Sequence, residues 1–359
     1  MDAEKIIPGI GTYWGCLLGT ATGDAMGLCF ENLSKTRQLR LFRDVEGYHF
    51  FFGKGMVSDD TEHACMTAQA LIFSAGEPDR FIRRLSRNLR YWIIGLPAGI
   101  GYATLRAILK LWLGFPGDKS GVFSAGNGPA MRSPIIGVCF GHDTDRLREL
   151  VRCSTRITHK DPKAEAGAMA VALAAYMASQ SDRVSPGDYY ERLRDILIKD
   201  KADEFLNSMR QTILSVEANQ TTQDFADSMG WSAGISGYIF HTVPAVIHCW
   251  LSHQRDFEGA VKAMIRCGGD TDTTAAIVGA IVGSSVGPEG IPEKWRDNLW
   301  EWPRTITWMA DLGTQLAQVC ESGSARPPLS LPFYGIFIRN IAFMLIVLCH
   351  GLRRLFPPY

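Results

Sequence analysis

The sequence predicts an all-α fold, and three observations support this prediction. Apolar residues recur at three- and four-residue spacing through much of the chain, which is the period of a helix buried on one side. Good helix formers such as Ala, Leu, Met and Arg are frequent in these stretches. Alternation of apolar and polar residues, which would indicate strands, is confined to two short candidates, YHFFF (residues 48–52) and SGYIFHTV (residues 236–243).

Loop signals rich in Gly, Ser and Pro divide the chain into helical segments. The clearest predicted helices cover residues 64–74, 79–94, 104–113, 164–179, 189–199 and 260–266. Loops are predicted at 114–121, 181–187 and 322–328. We therefore expect a body over residues 1–321, a linker over 322–332 and a separate apolar helix over 333–359.

Two segments carry glycine at every fourth residue. GCLLGTATGDAMG has glycine at 15, 19, 23 and 27, and GAIVGSSVG has glycine at 279, 283 and 287. Residues at this spacing lie along one helix face. Each glycine costs about 1 kcal/mol relative to alanine in a helix interior, so we expect these helices to gain from close approach. In lipid the pattern would indicate dimerisation, but Asp24 and the short apolar runs favour a buried pair in a soluble protein.

Charge and cysteine content restrict the class of protein. The chain has 359 residues, with 37 Lys+Arg and 37 Asp+Glu, so its formal net charge is zero. This balance argues against broad binding to nucleic acid or to acidic membranes. Its nine cysteines include no C-x-x-C pair, which favours reduced thiols and a cytoplasmic location. The first residues, MDAEKIIPGIGTYWG, lack the basic and apolar regions of a signal peptide.

The C-terminal segment from Leu331 is rich in large apolar residues. Its longest uninterrupted apolar run covers nine residues, 341–349, and Arg339 and Asn340 precede that run. A membrane-spanning helix needs about 20 apolar residues. We expect a terminal helix packed on the body or in a dimer contact. The alternative is a helix on a membrane surface, with Arg353 and Arg354 at the headgroups.

Three acidic clusters are the strongest candidates for chemistry: Glu31 after the first glycine segment, Ser58, Asp59 and Asp60 in SDDTEHA, and Asp270, Asp272 and Thr273 in GGDTDTTAA. Helix capping explains one carboxylate at each helix start, but the last two clusters offer two each. Carboxylates held close together repel one another and resist burial. A bound divalent cation removes that cost, and oxygen ligands without metal-spaced histidines suit Mg²⁺, Mn²⁺ or Ca²⁺.

A glycine-rich loop is a further candidate. SAGNGPAMRSP, residues 124–134, contains Gly126, Asn127 and Gly128. Backbone N–H groups in such a loop can bind phosphate, although Gly-Asn-Gly is also an ordinary turn. His159 follows in THKDP, and a lone histidine near a helix start is more often structural than functional.

Taken in order, GCLLGTATGDAMG with its following glutamate, SDDTEHA, GNGPAMR, THKDP and GGDTDTTAAIVGAIVG resemble the motifs of the ADP-ribosylglycohydrolases. The resemblance covers roughly residues 10 to 315. It implies an orthogonal all-α bundle with two divalent ions, Mg²⁺ or Mn²⁺, at the bottom of a cleft.

The resemblance also implies roles for individual residues. Its metal ligands correspond to Ser58, Asp59, Asp60, Asp270, Asp272 and Thr273. The glutamate on the segment after the first helix corresponds to Glu31. Its substrate-binding residues correspond to Ser124, Gly126, Asn127 and Gly128 for the diphosphate, with His159 and Tyr238 lining the cleft.

The function implied by the resemblance is hydrolysis of the glycosidic bond between ADP-ribose and a modified target. The ions would bind the distal ribose and orient a water, and Glu31, Asp59 or Asp60 would accept the proton of that water. The transition state would be oxocarbenium-like. The target stays open: an arginine or serine side chain, a nucleic-acid base, or a small molecule such as O-acetyl-ADP-ribose.

Three alternatives belong to other classes. One is a catalytically silent protein that binds ADP-ribose, and another neutralises an ADP-ribosyltransferase toxin by contact. The third is a metal phosphohydrolase that cleaves a nucleotide diphosphate. The complete set of carboxylates favours an enzyme over a pure binder.

Overall fold

The structure is a computed structural model that describes residues 9–42, 45–200 and 202–357. Within those ranges the chain is helical and has no β-strand, only isolated bridges such as Gly126 with Tyr238 and Ile235 with Gly269. The predicted all-α fold is confirmed.

Nineteen α-helices make up the described fold. They are α1 Ile10–Gly27, α2 Lys35–Phe42, α3 Asp59–Ser74, α4 Pro78–Trp92, α5 Tyr102–Trp112, α6 Gly117–Ser120, α7 Gly128–Met131, α8 Pro134–Phe140, α9 Thr144–Thr158, α10 Pro162–Gln180, α11 Pro186–Leu197, α12 Asp203–Glu217, α13 Thr222–Ser228, α14 Ile239–Ser252, α15 Phe257–Cys267, α16 Thr271–Val286, α17 Glu293–Asn298, α18 Ile306–Ser322 and α19 Phe333–Arg353. Single 3₁₀ turns lie at Leu28–Phe30, Ile93–Gly95, Ile198–Asp200 and Pro288–Gly290.

All six predicted helices are present, and several begin before the first residue of the apolar pattern. The reason is capping by polar residues that the pattern omits. Ser58 caps α3 by accepting from the amide of Asp60 at 3.3 Å, and Glu77 caps α4. Side chains at N-caps satisfy amides that have no partner within the helix.

Both strand candidates are wrong. Residues 239–243 belong to α14. Ile239 and Val243 are buried there, and their side chains pack against Gly167 of α10 in the space that a Cβ on that glycine would occupy. Residues 48–52 end in a tight turn that pairs Phe51 with Lys54. Tertiary burial overrides the strand preference of aromatic and β-branched residues at both places.

The two glycine-rich segments form α1 and α16, which pack against each other at the centre of the molecule, as predicted. A Cβ on Gly19 would overlap the carbonyl oxygen of Gly279, and a Cβ on Gly283 would overlap that of Gly15. Only glycine permits backbones to approach this closely. The contact brings the end of α1 and the start of α16 to the same point.

The C-terminal segment lies on the body through one helix face. Arg326 and Leu329 of the preceding linker hydrogen bond to Ile72 and Gln69 of α3. By length and composition α19 is able to cross a membrane, and 22% of its most apolar window is buried. All nine cysteines are free.

Candidate active site

The starts of α3 and α16 meet at the end of α1, so the acidic clusters come together as predicted. Asp60 Oδ2 accepts hydrogen bonds from the hydroxyls of Ser58 at 3.1 Å and Thr273 at 3.2 Å. Ser58, Asp60 and Thr273 are all buried. Ser58 and Thr273, which are more than two hundred positions apart in the chain, therefore donate to the same carboxylate oxygen.

Asp270 occupies the N-cap position of α16 without capping it. Its side chain makes no cap hydrogen bond, and its Oδ2 instead accepts from Asn127 Nδ2 at 2.7 Å. Gly268 and Gly269 precede it with φ of +74° and +86°, which a side chain would strain. Those two residues form the turn that directs the Asp270 carboxylate toward the glycine loop.

Asp24 is a buried carboxylate that the sequence interpretation left out of the site. It accepts from the amide of Ser58 at 2.9 Å, the amide of Thr61 at 3.2 Å and the hydroxyl of Thr61 at 2.5 Å. It thereby ties the end of α1 to the first turn of α3. An acidic residue inside an apolar glycine helix was the signal that could have identified it.

Burial and mutual repulsion raise the pKa values of the carboxyls in this cluster. Burial, opposed by hydrogen bonds from Thr61 and Ser58, raises the pKa of Asp24 to about 6. Burial and neighbouring carboxylates raise the pKa values of Asp59, Asp60 and Asp272 well above their ordinary value. Burial and Asp270 raise the pKa of Glu31. Concentrated negative charge of this kind favours binding of a cation.

The donor set fits a divalent cation in its chemistry. Asp60 Oδ1 and Asp272 Oδ1 are buried and have no hydrogen-bond partner. An unpaired buried oxygen costs free energy, and hard oxygens are what Mg²⁺ and Mn²⁺ prefer. Across the described residues, however, no three acidic, histidine or cysteine side chains converge as a complete ligand cage.

A cleft of about 670 Å³ opens over this cluster. The predicted site residues that line it are Glu31, Asp59, Ser124, Gly126, Asn127, Gly128, His159, Asp270, Asp272 and Thr273. Ser58 and Asp60 lie beneath them in the buried layer. The cleft therefore has an acidic floor, and the glycine loop forms one wall.

His159 packs against the glycine loop. A Cβ on Gly126 would lie 3.0 Å from His159 Nε2, and a Cβ on Gly128 would lie 3.2 Å from its Cε1. The Thr158 hydroxyl accepts from Arg132 at 2.6 Å and lies 2.9 Å from His159 Nδ1. Since Thr158 can then donate its hydrogen to Nδ1, the ring proton is assigned to Nε2 beside the loop. Burial and Arg132 lower the pKa of His159 to about 3, so the ring is neutral.

Arg132 supports that wall from inside the protein. It is fully buried and donates to Ser154 Oγ at 3.0 Å, to the carbonyl of Gly128 at 3.2 Å and to Nδ1 of His63 at 3.3 Å. Burial lowers the pKa of Arg132 to about 9. This arginine holds the loop and both histidines in one hydrogen-bonded unit.

Glu31 lies at the rim of the cleft on a segment held from two sides. The amide of Asn32 donates to the carbonyl of Gly269 at 2.8 Å. Arg354, at the end of α19, donates to the carbonyls of Glu31 at 3.0 Å and Cys29 at 3.1 Å. The apolar C-terminal helix thus contacts the site, which the sequence did not predict.

The structure does not place Tyr238 in the cleft. Its backbone pairs with Gly126, but its hydroxyl accepts from Lys163 at 3.0 Å on a neighbouring surface. Residues from the loop before α5 and from the start of α5 line the cleft instead: Gly99, Gly101, Tyr102 and Ala103. A Cβ on Gly99 would lie 3.5 Å from Asp59 Oδ1, so this loop passes over the acidic floor.

Known proteins are similar to this chain over about four fifths of its length or more. An ADP-ribosyl-[dinitrogen reductase] glycohydrolase of Rhodospirillum rubrum is 26% identical, covering 79% of this chain and 89% of its own. The ADP-ribosylhydrolase ARH3 of Bos taurus is 25% identical, with 80% and 88% covered. A solved structure titled ADP-ribosylglycohydrolase-related protein complex superposes with a TM-score of 0.60 at 24% identity, covering 87% and 98%. The family model for ADP-ribosylglycohydrolase matches residues 11–326, and the chain belongs to that family.

Proposed function

We propose that this protein is a divalent-metal-dependent hydrolase that cleaves the glycosidic bond between ADP-ribose and a modified target. One observation carries the proposal: carboxylates from three separate elements (Glu31, Asp59, and Asp270 with Asp272) line a single cleft together with the glycine loop and His159. The names of the relatives from Rhodospirillum rubrum and Bos taurus support ADP-ribose as the common part of the substrate.

Asp60 and Asp272, whose Oδ1 atoms lack partners, would hold the cations together with Ser58, Asp59, Asp270 and Thr273. When bound, Mg²⁺ or Mn²⁺ supplies Lewis-acid polarisation and orients hydroxyl oxygens. The other contributions come from side chains and backbone groups of the chain itself.

Glu31 and Asp59 are the candidates for the base that accepts the proton of the attacking water. Both line the cleft, and burial together with neighbouring carboxylates raises the pKa of each carboxyl. Asp60 is less suited, because it is buried and its Oδ2 already accepts two hydroxyl hydrogen bonds. Its role in this proposal is that of a ligand.

The glycine loop and His159 would bind the diphosphate. The amide of Asn127 is already paired with the carbonyl of Gly237 at 3.0 Å, so the amides of Gly126 and Gly128 are the candidates to donate. His159 Nε2–H lies against Gly126 and adds a neutral donor. Convergent N–H groups bind phosphate oxygens without a full positive charge. We place the activity in the cytoplasm, where nine free thiols persist.

The test is a panel of substrates incubated with the full chain and Mg²⁺, with free ADP-ribose as the readout. The panel contains ADP-ribosylated arginine and serine peptides, an ADP-ribosylated nucleic acid and O-acetyl-ADP-ribose. Release of ADP-ribose from one of them, abolished by a chelator, supports the proposal. Binding of ADP-ribose without turnover of any substrate would identify a silent binder, and AMP as the product would identify a phosphohydrolase.

A further inference from the structure

The C-terminal helix α19 has two faces of opposite character. Gly335, Arg339, Asn340 and Phe343 are buried against the body. The opposite face is exposed and apolar: Ile338, Leu345, Leu348 and Leu352 have exposed fractions of 58%, 59%, 55% and 60%. A helix of 21 residues is about 30 Å long, so this apolar face is a long exposed stripe along the described part of the protein.

The polar side chains of α19 are engaged by the body. Arg339 donates to Glu301 Oε2 at 2.7 Å, and Asn340 donates to the carbonyl of Gly95 at 2.8 Å. His350 Nε2 lies 2.6 Å from the carbonyl of Phe50. A transmembrane orientation would break these contacts and leave Arg339 in hydrocarbon, which is expensive. The helix is therefore fixed lengthwise along the surface of the protein.

The chemistry of the exposed face favours lipid over a protein partner. From Phe333 to Leu352 this face carries no charged side chain, and its polar groups are the Tyr334 hydroxyl and the Cys349 thiol. Protein interfaces contain about one hydrogen bond per 100–200 Å², whereas acyl chains offer none. Trp302, which is 46% exposed, lies beside Gly335, where its ring would suit the boundary between lipid and water.

Basic side chains flank the apolar stripe. Arg84 and Arg87 of α4 line a cavity of about 270 Å³ together with Phe333 and Ile336 of α19. Neither arginine forms an ion pair with an acidic side chain in the part of the chain that the structure describes. Arg353 is exposed at the other end of the helix. Arginines beside an apolar stripe complement anionic headgroups even in a protein of zero net charge.

We infer that α19 is an in-plane anchor that binds this protein to the surface of a bilayer containing anionic lipid. The apolar stripe enters the acyl boundary, and Arg84, Arg87 and Arg353 contact lipid phosphates. None of the stripe residues lines the cleft.

Co-sedimentation of the full chain with vesicles tests this inference. Vesicles of phosphatidylcholine alone are compared with vesicles that also contain an equal amount of phosphatidylglycerol. We expect stronger binding to the anionic vesicles, weakened by salt. The double variant Leu345→Gln with Leu348→Gln should lose binding to them by ~10-fold or more. The double variant Arg84→Gln with Arg87→Gln should lose about fivefold or more on anionic vesicles and nothing on neutral ones.

The matched control is Leu214→Gln on α12, because Leu214 is 55% exposed on a helix that does not form the stripe. It should bind vesicles as the wild type does. Near-UV circular dichroism verifies that each variant is folded. If the double leucine variant does not fold, Leu345→Gln alone replaces it, with a loss of about threefold.

Three outcomes would overturn the inference. The first is that the wild-type protein does not bind vesicles. If sedimentation velocity then shows a dimer that the double leucine variant dissociates, the stripe binds a second copy of the chain instead of lipid. The second is equal loss of binding in Leu214→Gln. The third is association that resists carbonate extraction, which would mean that α19 spans the bilayer. No substrate is present in these measurements, so their result does not depend on the proposed hydrolysis.

Discussion

The hydroxyl of Thr273 donates to Asp60 Oδ2 at 3.2 Å, which connects the first turn of α16 to the first turn of α3. Ser58 occupies the N-cap position of α3 and Asp270 that of α16, but only one of these two side chains acts as a cap. Ser58 caps α3, whereas Asp270 leaves α16 uncapped and accepts from Asn127. One of these polar side chains therefore starts a helix, and the other contributes its carboxylate to the acidic floor of the cleft.

The unpaired oxygens of Asp60 and Asp272 give the first prediction. Asp60→Asn and Asp272→Asn should each lower release of ADP-ribose by ~100-fold or more, because a neutral amide is a poor ligand for Mg²⁺. Without Mg²⁺ each variant should unfold at the wild-type temperature or above it, since one of several repelling carboxylates is gone. Product assays, calorimetric titration with Mg²⁺ and thermal unfolding measure these effects. Asp203→Asn, at an exposed position of α12, is the control, and wild-type turnover by either site variant would contradict the prediction.

The contact between α1 and α16 gives the second prediction. Gly19→Ala should lower the free energy of unfolding by about 3 kcal/mol, because the new Cβ would overlap the carbonyl oxygen of Gly279 and force the helices apart. Separation of the helices should also weaken Mg²⁺ binding, since the acidic clusters stand at their ends. Urea unfolding measures the first effect and calorimetric titration the second. Gly351→Ala is the matched helical control, as a Cβ there meets nothing within 4 Å; equal stability of both variants would argue against the overlap.

The third prediction concerns the link between α19 and Glu31. Arg354→Gln removes two hydrogen bonds to the carbonyls of Glu31 and Cys29. If Glu31 acts in the proposed reaction, kcat/KM should fall about tenfold, because small displacements of catalytic groups are costly. The thermal midpoint should change little. Arg353→Gln is the neighbouring control, since the hydrogen bond of the Arg353 side chain among the described residues goes to the carbonyl of Pro357 and not to the Glu31 segment. A loss of activity that scales with a loss of stability in both variants would show a purely structural role.

The fourth prediction is a pH dependence of stability that comes from His248. Its ring lies 3.1 Å from Ser215 Oγ and 3.2 Å from Thr222 Oγ1, and stacks on Phe225. Burial lowers the pKa of His248 from 6.5 to about 4. Between these values the unfolded chain binds the proton and the folded protein does not, so acidification destabilises the fold. The limiting slope is about 1.4 kcal/mol per pH unit.

His248→Gln should therefore lose less unfolding free energy than the wild type between pH 6.5 and 4. Urea unfolding at several pH values gives the two curves. The carboxyls of the cleft act in the opposite direction, because their raised pKa values favour the folded state at low pH, but both proteins contain them. Parallel curves for variant and wild type would assign the acid sensitivity to other groups.

The helical class, the pairing of the glycine helices and the residue types of the acidic floor could all be predicted from the amino-acid sequence. These features are local: helical period, glycine spacing and carboxylates beside Ser and Thr are properties of short segments. The helix starts and the two strand candidates were less well predicted, since caps and tertiary burial decide them.

Which groups face one another became clear from the three-dimensional packing. It brought Asp24 under the start of α3, set Arg132 behind His159, and turned the Tyr238 side chain toward Lys163. It also inserted Arg339 of α19 between buried Glu301 and the carbonyl of Val57, next to the cluster that begins at Ser58. Such contacts join residues far apart in the chain, and their partners are selected by packing and by the cost of leaving a buried charge unpaired. No short segment of the sequence contains that information.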